Sequence, residues 1–109
     1  MAQTKVFTAV SANGNSSVVD VDENKILDLV AFAAKGTWGS GTIKLQAQLP
    51  DNSTWFDVPS ATRTSDGYYV ATNVYASKLR LNLAGATSPS LDAWICVKDT
   101  VVTNTVTAN

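Results

Sequence analysis

Apolar side chains recur at every second position over much of this chain, and a period of two is the repeat of a β-strand, not of a helix. In residues 42–49, Ile43, Leu45, Ala47 and Leu49 share one face while Thr42, Lys44, Gln46 and Gln48 share the other. Residues 78–83 repeat the pattern, with Leu79, Leu81 and Leu83 alternating with Lys78, Arg80 and Asn82. Residues 91–97 place Leu91, Ala93, Ile95 and Val97 on one face, and the opposite face, with Asp92, Trp94, Cys96 and Lys98, is partly apolar too. Residues 26–34 are nearly continuous in apolar side chains apart from Asp28. A central strand covered on both faces reads that way, and a short buried helix shares the signature. Further strands are expected over residues 5–10, 17–22, 54–58 and 68–74, and the Val- and Thr-rich residues 100–107 are expected to form a last strand or an extended arm.

Turn chemistry punctuates these segments. Asn13-Gly14-Asn15, the glycines at 36, 39 and 41 around Trp38, Pro50-Asp51-Asn52-Ser53, Asp66-Gly67 and residues 85–89 all fall between strands. Residues 20–24, rich in Asp and Asn, read as a strand end running into a solvated loop. The expected fold is therefore all-β: an antiparallel β-sandwich of about eight short strands, jelly-roll-like or immunoglobulin-like. With 109 residues the chain fits one domain, 1–109, with candidate extended arms at 1–8 and 100–109. Apolar residues at 45% are enough for a core, so neither metal nor disulfide is required to hold it.

Composition narrows the function. A net charge of −1, with eight Lys and Arg spread along the chain, supplies no basic patch, so no nucleic-acid partner is expected. No apolar run approaches the roughly 18 residues that span a bilayer, and no signal-peptide core follows Met1, so no membrane partner and synthesis in the cytoplasm are expected. There is no histidine, which removes Ser-His and Cys-His nucleophile activation and the commonest metal ligand. The Asp and Glu side chains fall mostly at strand ends and turns, where a solvated capping role is the default. Asp20, Asp22 and Asn24 have the spacing of an acidic calcium loop but lack its glycine and its final bidentate acid. The lone Cys96 sits in an apolar run and reads as a small core hydrophobe. A non-enzymatic binding or structural module is expected, with no cofactor and no metal.

The segment from Gly41 to Val58, GTIKLQAQLPDNSTWFDV, resembles a pattern of small tailed-phage virion proteins. That pattern has a Gly-led alternating strand, an acidic turn, then Thr-Trp and Asp-Val pairs. A later Leu-Arg-Leu strand ending in a glycine turn matches residues 78–86, and a last alternating strand matches residues 91–97. The resemblance implies a capsid decoration, or cement, protein: a β-rich domain on the virion surface that binds the major capsid protein and bridges neighbouring subunits. It also implies self-association into a dimer or trimer. A module on a tail or head fibre that binds a receptor, with a host-surface glycan as partner, is the alternative. Contacts are expected from terminal arms and exposed aromatics. The candidate partner-binding residues are Thr4, Lys5 and Phe7 near the N-terminus, Val102 and Val106 in the tail, and Trp38, Tyr68 and Tyr69. Among the tryptophans, only Trp38, set among glycines, is expected to point outward, whereas Trp55 and Trp94 are expected to pack within the fold.

Overall fold

In a computed structural model, residues 2–98 are described, apart from the side chains of residues 2 and 22–26. They form β1 (Ala2–Val10), β2 (Gly14–Asn15), β3 (Val19–Thr37), β4 (Thr42–Gln48), β5 (Trp55–Arg63), β6 (Gly67–Ala84) and β7 (Ser90–Lys98). Every pairing is antiparallel, in the order β1-β7-β3-β6-β4-β5, with β2 beside β6. No helix is present among the described residues. The all-β, sandwich-like fold expected from the alternation is the fold observed.

Two strands are longer than the alternation indicates. Residues 17–22 and 26–34 belong to one strand, β3, of 19 residues, and residues 68–74 and 78–83 to another, β6, of 18. At ~3.3 Å per residue β3 would extend about 60 Å if straight, more than the 51 Å long axis of the molecule. It bends where its register against β6 shifts. Between Asp20 and Lys25 it advances five positions while β6 advances from Ala76 to Lys78. Residues 20–24 are thus not a loop: the polar cluster marks a bulged stretch within a continuous strand. Beyond the bend, residues 67–76 of β6 pair with β3, and residues 79–84 pair with β4. β6 therefore serves both layers of the sandwich.

The inner faces meet as the alternation predicts. Ile43, Leu45 and Ala47 of β4, Leu79, Leu81 and Leu83 of β6, and Leu91, Ala93 and Ile95 of β7 are all buried. Val30, Phe32 and Ala34 of β3 join them. Leu49, expected in that set, is exposed because β4 ends at Gln48 and the hairpin turn begins. The strand expected over residues 5–10 is the later part of β1, and residues 2–8 of the candidate arm belong to the same strand, paired with β7. Its Val6 and Phe7 are each 5% exposed, and burying them favours docking over a free arm. Residues 13–15, expected as a turn, contribute the short β2 against Asn82 and Leu83 of β6. The tail at 100–107 lies outside the described residues.

Aspartates close the connections. In the β4–β5 turn Asp51 Oδ1 accepts the N–H groups of Ser53 (3.0 Å) and Thr54 (2.9 Å), and the Thr54 hydroxyl donates to Oδ2 at 2.5 Å. At the far end of the molecule Asp66 Oδ1 accepts the Gly36 N–H (3.0 Å) and the Trp38 indole N–H (2.8 Å). Arg63 holds that corner through the Asp66 carbonyl at 2.7 Å. Gly36 has φ +135°, and a Cβ there would stand 2.1 Å from the Ser90 carbonyl oxygen.

Two outcomes follow from these turns. Gly36→Ala is expected to destabilise the fold by more than about 1 kcal/mol, lowering the thermal midpoint by several degrees. An unchanged midpoint would show that β3 and β7 are not held this closely. The Thr54 hydroxyl, the Thr54 N–H and the Ser53 N–H lower the Asp51 pKa from 3.8 to about 2. A depressed carboxyl stabilises the folded state above its unfolded pKa and loses that contribution as pH falls through the folded value. The β4–β5 turn is therefore expected to be fully held above pH 3.8 and to loosen as pH drops through about 2. Backbone amide shifts of Ser53 and Thr54 should follow that titration, and Asp51→Asn should abolish it.

Candidate functional site

Directly paired residues on neighbouring antiparallel strands point to the same side of a sheet. One row across β1, β7, β3 and β6 therefore reads Lys5, Trp94, Ala33, Tyr68, and the next row reads Gln3, Cys96, Ala31, Val70. These side chains occupy the face opposite the core. In the middle strand, β3, the two rows present only alanines, while the strands on either side carry larger groups. The result is a shallow trough: Ala31 and Ala33 form its floor, Trp94 and Cys96 one wall, and Tyr68 the other, with Gln3 at the rim.

The trough is apolar and open to solvent. Tyr68 is 68% and Val70 44% exposed, while Ala31, Ala33, Trp94 and Cys96 are half-buried. A contiguous apolar surface rimmed by polar groups is a candidate contact site. Charge is confined to its border. Lys5 Nζ lies 5.4 Å from the centre of the Trp94 ring and 3.4 Å from Asp92 Oδ1. Asp92 also accepts the Ala9 N–H at 2.8 Å, the leading reason its pKa is lowered, and so holds β1 where Ala9 adopts φ 45°. On the far side Lys98 pairs with Asp28 at 4.0 Å. With its border charges paired to one another, the trough offers apolar contact more than it offers charge.

Of the residues singled out from sequence, Lys5 and Tyr68 flank this trough. Thr4 is exposed on β1. Phe7 is buried in the core, because the register shift around residues 5–7 turns it inward opposite Ala93, and a partner cannot reach it. Tyr69 points the other way from Tyr68, half-buried, with its ring centre 6.3 Å from that of Phe32. Trp38 is not presented outward: it packs half-buried against the core with its indole N–H engaged by Asp66. Val102 and Val106 lie outside the described residues.

The sequence reading missed Ala31, Ala33, Val70, Trp94 and Cys96. Residues 26–34 were expected to be covered on both faces. Here β3 is central in the sheet, yet over Ala31 and Ala33 only its inner face is covered. The signal that was available is the partly apolar second face of residues 91–97, which carries Trp94 and Cys96. Cys96 is accordingly half-exposed on the trough wall and not a core residue.

Among the described residues no cluster of carboxylates or cysteine is arranged to hold a metal ion. Trp55 packs against the Arg80 guanidinium at 4.1 Å on the opposite layer, where Arg80 also donates to Gln46 and Gln46 to Asp57, each at 2.8 Å. That polar network satisfies itself.

No protein-family model matches the chain, and no curated protein matches it. Among solved structures it is similar to the SPBc2 prophage-derived protein YomS, with a TM-score of 0.65 and 11% identity over 89% of this chain and 92% of that one. PirA matches with a TM-score of 0.48 and 17% identity, over 88% of this chain and 91% of that one. The likeness to YomS extends over almost the whole of both chains and is a likeness of fold.

Proposed function

We propose that this chain is a structural protein of a tailed-phage virion that binds the outer surface of the assembled capsid and stabilises it by bridging neighbouring major capsid subunits. The observation that carries this reading is the open apolar trough walled by Tyr68 and Trp94, a surface suited to contact with another protein. The fold likeness to a prophage-derived protein and the resemblance of residues 41–58 to virion proteins point in the same direction. Tyrosine and tryptophan are the side chains enriched at protein–protein contacts. The alternative, a glycan stacked on Tyr68 and Trp94, would find few polar groups on the trough floor, which is alanine.

Stabilisation in this scheme is mass action. A protein that binds the assembled, expanded shell but not free subunits lowers the free energy of the shell by RT ln(1 + [L]/Kd) at each site, and many copies sum. Contact with two adjacent subunits adds the advantage of bivalent attachment.

Co-sedimentation with bare expanded capsids, followed by electron cryomicroscopy, tests the proposal. Ordered density between capsomers, with the trough facing the shell, is the expected result. Val70→Asp places a charge beside the trough without touching the core and is expected to weaken binding at least tenfold. Binding undiminished in that variant would sink the role of the trough, and absence of any density on the shell would sink the capsid reading.

A further inference from the structure

A second open feature lies on another part of β6. Over residues 79–84 both edges of β6 have strand neighbours, but over residues 69–75 the register pairs only with β3. The edge facing away from β3 has no strand partner there among the described residues. β4 stops at Gln48, level with Lys78 in its register against β6, and the hairpin turn then leads the chain away. β5 does not fill the gap. Its pairing with β4 is interrupted between Asp57 and Thr62, and the bulged segment, with Pro59 and with Ser60 at φ 63°, pairs with neither β4 nor β6. Between the two lies a slot lined by Phe56 and Val58–Ser60 on one side and by every residue from 69 to 75 on the other.

We propose that this slot receives an extended, uncharged peptide segment of a partner protein, which adds to β6 as a further strand. A run of seven β6 residues offers about 20 Å of edge at ~3.3 Å per residue, the length of an ordinary strand. Along such an edge alternate residues direct their N–H and C=O groups outward, and an extended backbone is the chemistry that pairs with them. The lining is uncharged throughout, so an occupant buried there must be uncharged as well. Val58, Ala71 and Val74 supply a buried apolar floor for alternate side chains of the guest, and Tyr75, 46% exposed, stands at the rim.

The other two sheet edges are guarded in ways this one is not. β1 is broken by register shifts at Lys5–Phe7 and Phe7–Val10, and β5 carries Pro59 within its bulge. Bulges, charges and prolines are the usual means of preventing strand addition. The sequence YYVATNVY over residues 68–75 has no proline and no charge, and five of its eight residues are Tyr or Val. A left-handed residue, Asn73 at φ 55°, is its only irregularity.

The proposal does not depend on the capsid reading, and it is tested without capsids. The probe is a blocked octapeptide of alternating threonine and valine, added to the ¹⁵N-labelled full chain. Amide hydrogen exchange over residues 69–75 is expected to slow at least tenfold at saturation, with no change over residues 79–84. A further probe is N-methylated at every residue, so that it has no backbone donors. It should give no protection. Protection by the methylated probe equal to that of the parent peptide, protection at β1 or β5 in place of β6, or no protection at all would overturn strand addition at this edge. Displacement of the peptide by an oligosaccharide seated on Tyr69 and Tyr75 would overturn the choice of a peptide as ligand.

Discussion

The antiparallel ladder between β3 and β6 is the element on which the rest of the structure depends. It passes through both layers, and each remaining strand is placed by reference to it: β7 on the free side of β3, β2 and β4 on the later half of β6, β1 and β5 beyond β7 and β4. Because strands this long cannot lie straight in so small a domain, the ladder must bend, and the bend requires residues in excess of the register. These are the residues between Asp20 and Lys25. The same bend separates the two halves of β6, so that β4 covers one edge of its later half and leaves the earlier half open on that side. The open edge thus descends from one geometric requirement.

The alternation of apolar residues was enough to identify the core, because burial on one side of a strand leaves a two-residue repeat in the sequence. Ile43, Leu45, Leu79, Leu81, Leu91 and Ile95 were all readable in this way. Strand continuity was not. A bulge puts polar residues where a loop would put them, so residues 20–24 split β3 in the reading, and residues 75–77, which interrupt the alternation, split β6. At the N-terminus residues 5–10 were read as a strand and 1–8 as a candidate arm, since neither the bulges of β1 nor the burial of Phe7 leaves a periodic trace that would join them. The candidate site was readable only in fragments, Lys5 and Tyr68. Whether a given face of a strand is covered depends on what packs there from distant parts of the chain. Ala31 looks the same in sequence whether it lies beneath another layer or forms the floor of an open trough.

The carboxylates of this chain illustrate how polar groups divide between local and long-range duties. Asp51 closes its own turn, whereas Asp66 and Asp92 accept backbone N–H groups from strands distant in sequence. Each lies where the backbone departs from regular geometry: beside Asn52 at φ 61°, opposite Gly36 at φ 135°, and opposite Ala9 at φ 45°. Irregular backbone leaves donors without ladder partners, and a charged acceptor satisfies them more strongly than a neutral one. These aspartates hold the turns and the β1 bulge in place around sheets whose own hydrogen bonds stop short of them.

The continuity of β3 and β6 through both layers also has a mechanical side. In a sandwich whose layers are joined only by loops, the layers can slide over one another at the cost of side-chain contacts alone. Here two covalent backbones cross from layer to layer side by side, hydrogen-bonded along most of their length. Shear between the layers must stretch or unzip that ladder, and many bonds lying across the direction of pull resist together. A domain made this way behaves as a stiff plate, so a displacement imposed at one edge is passed to the far side with little absorbed within.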